Sequence, residues 1–340
     1  MAKTFFYTGN ERMGAYVEQQ LGQIGWQRTE HAGAAEAAIT YCLTLPKLED
    51  AYFEESGIVH ALGSGGLAID LSPATPSFAR ELAAVATVND IRCVEAPIVF
   101  DDQDGCESQN ASSCISCYAA GDAADVEAAM PILRALASTI EVTGRAGTAQ
   151  TAKALRTIED VAHLVGRIER EALARAIKEK MSGDGWGIVA DQTGSGAAEQ
   201  PATQSDTNEK DRETEQPQAA LYTVEALVAE VGAALSAGDD VDLILPQLES
   251  CTRLVEVFAV IGGLDMPPSA LSLAYRNEDE GAKAGLDWKR AQAFYGSEDD
   301  PYNDEWADDP DYDQGYWDDG YDDGFDNLSR GGAFGGYSSN

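Results

Sequence analysis

Gly144-Arg-Ala-Gly147-Thr-Ala-Gln-Thr-Ala-Lys153 separates two kinds of periodicity in this chain. Before it, apolar runs of strand length alternate with helical patterns; after it, every periodic segment reads as helix. The glycines supply a turn, and Lys153 falls in the first turns of a long helical pattern over residues 149–180. Its apolar positions are Leu155, Ile158, Val161, Val165, Ile168, Ala172 and Ile177. Such a helix would span about 45 Å, enough to bridge two domains. A lysine at its start can point back into the cleft between them. Taken alone, an exposed lysine at a helix start is the plainer reading, and the rest of the chain has to shift the balance.

Upstream, Phe5-Phe6-Tyr7-Thr8 is a strand-length run that stops at Gly9. From Glu11, the positions Gly14, Val17, Leu21 and Ile24 recur at helical spacing until Gly25. Strand, glycine turn and helix form the setting in which a G-x-G-x-x-G loop holds a dinucleotide pyrophosphate at a helix N-terminus. Here the loop reads Gly9-Asn10-Glu11-Arg12-Met13-Gly14, with Glu11 where the second glycine would admit the pyrophosphate. Further strand-like runs cover 38–45, 67–71, 92–96, 115–119 and 139–142, with helical patterns over 78–88 and 126–136. The alternation predicts a largely parallel, doubly wound sheet, whose ligands sit at the carboxyl ends of the strands. Three loops are expected there: Leu45-Pro46, residues 70–76 and Glu95-Ala96-Pro97.

The 340 residues are enough for two domains, and 44% of them are apolar. A formal charge of −36, from 59 acidic against 23 basic residues, repels phosphate backbones and argues against nucleic-acid binding. No stretch of about 20 apolar residues is present to span a membrane. Met1-Ala-Lys-Thr lacks a signal-peptide pattern, so the chain reads as cytoplasmic. Its six cysteines are too sparse for a secreted disulfide scaffold. Cys114-x-x-Cys117 has the spacing of half a metal site, but in a strand the two would face opposite ways, and no histidine lies near. No metal is expected.

After the long helix, residues 183–218 are rich in Gly, Ser, Thr, Gln, Glu and Asp and read as a disordered insertion. Helical patterns resume over 222–235, 243–261, 269–283 and 287–294. Beyond Tyr295 comes an acidic tail interleaved with Tyr302, Trp306, Tyr312, Tyr316, Trp317, Tyr321 and Phe325. It reads first as a solvated tail and second as an adhesive segment for a basic partner. The expected organisation is a Rossmann-like α/β domain (1–143), an all-α domain (144–295, with 183–220 as disordered insertion) and a disordered tail (296–340).

The set Gly9/Met13-Gly14, Leu45-Pro46, Asp70-x-Ser72-x-x-x-Pro76, Ala96-Pro97, Gly121-Asp122 and Gly144-x-x-Gly147-x5-Lys153 resembles the β-hydroxyacid dehydrogenases. That family includes 3-hydroxyisobutyrate dehydrogenase and relatives of 6-phosphogluconate dehydrogenase. Gly263-Leu-Asp-Met266-Pro267 and Gly285-Leu-Asp287 resemble its C-terminal helices. The resemblance implies a Rossmann domain joined to a helical domain, NADP or NAD as cofactor, a small 3-hydroxy acid as substrate and a homo-oligomeric state. It implies that Lys153 is the catalytic acid/base, that Ser72 and Thr157 contact the substrate, and that Gly9, Arg12, Met13, Gly14, Leu45 and Pro46 line the cofactor.

The departures from the family pattern gather at that site. Glu11 replaces a glycine, Pro73 a threonine, Val99-Phe100-Asp101 a Ser-Gly-Gly loop, Thr157 an asparagine and Ser250 a second lysine. The stretch between Gly25 and Ala38 is expected to be too short for the usual second strand, helix and third strand. Weak NAD(P) binding is expected from Glu11. Three readings stay open: an NAD(P)-dependent hydroxyacid dehydrogenase, a non-catalytic binding module on the same fold, and a scaffold acting through the acidic tail.

Overall fold

The computed structural model describes residues 3–101, 113–182, 220–276 and 278–295. The insertion read as disordered, the acidic aromatic tail and the loop carrying Cys106 lie outside the described residues. The described residues up to Ala291 form one compact unit.

The first 144 residues build a Rossmann-like sheet of eight strands: β1 (Lys3–Gly9), β2 (Trp26–Thr29), β3 (Ala37–Tyr41), β4 (Leu67–Asp70), β5 (Arg92–Glu95), β6 (Ile98–Phe100), β7 (Ile115–Gly121) and β8 (Thr139–Gly144). Their order is β2-β1-β3-β4-β5-β7-β6, with β8 also paired to β7. The pairs from β2 to β5 are parallel, β7 runs antiparallel to β5 and β6, and β8 is parallel to β7. The helices between strands are α1 (Glu11–Gln23), α2 (Leu45–Phe53), α3 (Ile58–Ala61), α4 (Pro76–Val88) and α5 (Ala123–Leu136). Alternation along the strands sorts side chains to two faces. Phe5, Tyr7, Ile39, Tyr41 and Ile69 join one core with α1 and α5 residues such as Val17 and Val126. Ala38, Cys42 and Ala68 join the other, with Leu48, Tyr52, Ile58, Phe78 and Leu82 from α2, α3 and α4.

Every described strand precedes Arg145, as the change of periodicity predicts. The 35-residue helix α6 (Thr148–Ser182) follows, then α7 (Val224–Asp239), α8 (Pro246–Phe258), a π-turn at Ala259–Gly263, a 3₁₀ stretch at Pro268–Tyr275, α9 (Glu278–Lys283) and α10 (Trp288–Tyr295). Val161, Leu164 and Ile168 of α6 pack with Leu227 and Val231 of α7 and Val255 and Phe258 of α8, in a core continuous with the α1 face of the sheet. No single helix among the described residues is long and apolar enough to cross a membrane.

Two expectations need correction. The segment after Gly25 does hold a second strand: β2 is short, has no buried position and pairs in parallel with Lys3–Phe6. What it lacks is the helix, reduced to a 3₁₀ turn at Ala32–Ala34, and a further strand, since the next one crosses to the other side of β1. Leu45-Pro46 is not a loop but the start of α2. The fixed φ of proline suits the first helical turn, where its missing N–H costs no hydrogen bond.

Candidate functional site

The site grows from the end of β1. Gly9 has φ +126°, and a Cβ there would overlap the carbonyl of Tyr41, because the Asn10 N–H donates to that same carbonyl at 2.8 Å. Only glycine permits this approach. Asn10 then caps α1, its Oδ1 accepting from the N–H groups of Arg12 (3.1 Å) and Met13 (3.2 Å). Those are donors that an anion at a helix N-terminus would otherwise use. Glu11 is exposed on the first turn, and Met13 is fully buried. Gly14 lies under Tyr7, whose ring would stand 2.6 Å from an added Cβ. The Arg12 guanidinium reaches out of the loop to Asp265 at 2.6 Å.

Beside this turn opens a cleft of about 540 Å³, lined by Thr8, Gly9, Asn10, Leu43, Lys47 and Glu225 among others. It lies between Phe6 and Thr8 of β1 and Lys47, Asp50 and Ala51 of α2. Gly9 is thus in the cleft wall, while Arg12, Met13, Gly14, Leu45 and Pro46 are not among its lining residues. A dinucleotide fits this concavity in position, at the carboxyl ends of β1 and β3 and next to a glycine that brings the backbone close. Its charge is met less well: Asp50, Glu54 and Glu225 line the cleft against Lys47.

Lys153 sits in the second turn of α6, buried, with Nζ 2.7 Å from Oε1 of Glu230 on α7. The other Glu230 oxygen accepts from the Tyr222 hydroxyl at 3.1 Å. Burial pushes the Glu230 carboxyl above the usual range, and the Lys153 ammonium opposes that shift. Tyr222 stacks on Phe100 with ring centres 4.4 Å apart, so part of the stretch that departs from the family pattern is packed against the tyrosine that holds the lysine's partner. Thr157, one turn beyond Lys153, and Tyr41, at the end of β3, bury hydroxyl oxygens with no hydrogen-bond partner among the described residues.

Ser72 lies apart from the lysine in hydrogen bonding. Its hydroxyl accepts the Cys42 N–H at 2.9 Å and its own N–H donates to Asp70 at 3.0 Å, in a fully buried position. Asp70 also accepts from Thr40 at 2.8 Å. Burial raises its carboxyl to about 6 against the pull of these donors. Ser250, the counterpart of a family lysine, is exposed and bonded to the Pro246 carbonyl of its own helix.

Glu95 is a site residue that sequence reasoning missed. At the carboxyl end of β5 its Oε1 accepts from Gly147 N (2.6 Å) and Ala149 N (3.1 Å), capping the start of α6. Burial raises its carboxyl to about 7, with the backbone donors opposing. A carboxyl raised above its unfolded value stabilises most below the unfolded pKa, and that contribution is lost as pH rises through the folded one. The Glu95 contribution to stability should therefore be lost between about pH 4.5 and 7. Glu95→Gln should flatten that loss while keeping an oxygen for the cap. Thermal unfolding of both proteins from pH 5 to 8 checks this; parallel profiles would refute it.

Geometry thus defines a Rossmann-type dinucleotide-binding domain with a buried lysine at the head of a long helix. Residues 5–144 match the family model of the NAD binding domain of 6-phosphogluconate dehydrogenase. An uncharacterized oxidoreductase of Bacillus subtilis is 28% identical over 158 residues, covering 46% of this chain and 53% of its own. A probable mitochondrial 3-hydroxyisobutyrate dehydrogenase-like protein of Arabidopsis thaliana is 29% identical over 115 residues, 34% of each chain. The chain therefore spans about half or less of these relatives. In fold it is similar to a Mycobacterium tuberculosis 3-hydroxyisobutyrate dehydrogenase studied with L-serine, at TM-score 0.59 and 18% identity, over 82% of this chain and all of that one.

Proposed function

We propose that this chain is an NAD(P)-binding protein of the hydroxyacid-dehydrogenase type that holds its dinucleotide loosely. The observation that carries the reading is the Gly9–Asn10 turn opening into the cleft beside α2. Thr8, Gly9, Asn10, Leu43 and Lys47 would hold the dinucleotide, which when bound supplies a nicotinamide for hydride transfer. Glu11 and the Asn10 cap weaken the pyrophosphate end, one by charge and the other by taking helix N–H donors. The loop is thus a degenerate form of the family's own. Titration calorimetry with NAD and NADP tests this: at least one binds weakly, and Glu11→Gly tightens it by about three- to fivefold at low ionic strength. No heat with either nucleotide, for wild type and variant alike, would overturn the reading.

A second reading, turnover of a 3-hydroxy acid, is favoured by one observation, the placing of Lys153 and Thr157 on one face of α6. L-serine, which accompanies the M. tuberculosis relative, is itself a 3-hydroxy acid. The two readings separate in an assay of hydride transfer with a panel of such acids and Lys153→Ala as control.

A further inference from the structure

We propose that Glu230 is a tethered carboxylate occupying a small-acid site built around Lys153, which it keeps closed. The idea rests on the dehydrogenase-type reading only in treating Lys153 as the residue that would meet an acid. Glu230 stands on the apolar face of α7, among buried Leu227, Val231 and Ala234, where a glutamate has no packing reason to be. Its two oxygens are held separately, one by the Lys153 ammonium at 2.7 Å and one by the Tyr222 phenol at 3.1 Å. A free carboxylic acid would be bound in the same way, by a cation and a hydroxyl from different elements.

A second observation separates this from an ordinary buried ion pair. The hydroxyls of Thr157 and Tyr41 are enclosed nearby with no hydrogen-bond partner among the described residues, and Tyr41 feels the Glu230 charge. Buried polar groups left unpaired cost stability and are uncommon in structures. A pair that served stability alone would not need them. Together, α6, β3 and the segment before α7 present more polar atoms than the glutamate carboxylate satisfies. Those atoms suit a ligand with a carboxylate and a further hydroxyl, such as a short hydroxy acid.

The experiment replaces the tether with a free acid. Glu230→Ala should lower the thermal midpoint, and acetate or propionate should restore about 2–4 °C of it at about tenfold excess over the dissociation constant. Sodium chloride at equal ionic strength should restore none. Wild type and Glu230→Gln, whose side chains fill the space, should not respond, nor should the double variant Lys153→Ala/Glu230→Ala. If Glu230→Ala folds poorly, refolding yield with acetate against chloride gives the same comparison. Equal effects of acetate and chloride, or none on either midpoint or yield, would overturn the proposal. No nucleotide enters these measurements, so their failure is distinguishable from failure of the dinucleotide cleft.

Discussion

Lys153→Ala is expected to destabilise the protein by about 3–5 kcal/mol at neutral pH, a large part of the roughly 5–15 kcal/mol that holds a domain folded. The cause is the partner left behind. Glu230 stays buried with one hydroxyl donor and loses its cation. Burial, the strongest influence on its carboxyl, then acts without the ammonium's opposition. The glutamate must take up a proton or remain an unpaired charge, and both are costly. Because its folded pKa rises further, the folded variant binds the extra proton, and its deficit should shrink as pH falls towards the ordinary carboxylate range. Lys153→Met/Glu230→Leu removes both charges and should lie much closer to wild type than either single variant. Denaturant unfolding at pH 5 and pH 8 checks the set. A loss below about 1 kcal/mol in Lys153→Ala would mean that water screens the pair, and the enclosed geometry would then be wrong.

That interaction also shows how far the sequence could be read. The long helix and Lys153 at its head were legible because apolar positions recur at helical spacing after Gly147. Glu230 was not, because 77 residues separate it from Lys153 and nothing local ties them. One signal existed: Glu230 falls three residues after Leu227 and one before Val231, inside an apolar stripe, where a charge demands a partner. Glu95 was hidden similarly, since its acceptors' partners at Gly147 and Ala149 become neighbours only when β5 and α6 pack.

The strands follow the same logic. β3 and β4 are buried at every position and read as apolar runs. β2, an edge strand of Trp26-Gln-Arg-Thr29 with no buried position, carries no such run, and β6 has only three residues after Pro97. Residues 269–283 read as one helix, whereas the structure has a 3₁₀ stretch to Tyr275 and separate α9. Hydrophobic spacing alone does not distinguish a tight helix from an α-helix over so few turns.

Gly9→Ala is expected to cost about 3 kcal/mol or more and to abolish whatever dinucleotide binding the cleft provides. Two effects add at this position. The backbone is at φ +126°, outside the regions that residues with a Cβ adopt readily, and the new methyl would overlap the Tyr41 carbonyl. That carbonyl belongs to backbone, so no side-chain rotation relieves the contact. Moving it would break the Asn10 N–H bond and shift the end of β3, where the Tyr41 hydroxyl feels the Glu230 charge. Gly25→Ala is the matched control. Its φ of +83° carries left-handed strain, but nothing lies within 4 Å of the added carbon. That variant should lose about 1–2 kcal/mol and leave the cleft intact. Urea unfolding of both, with calorimetric titration of the stronger-binding nucleotide, tests the ordering. Equal losses would show that strain alone matters at Gly9. A clear excess at Gly9, with binding lost there and kept in Gly25→Ala, would locate the effect in the contact between the β1 turn and the end of β3.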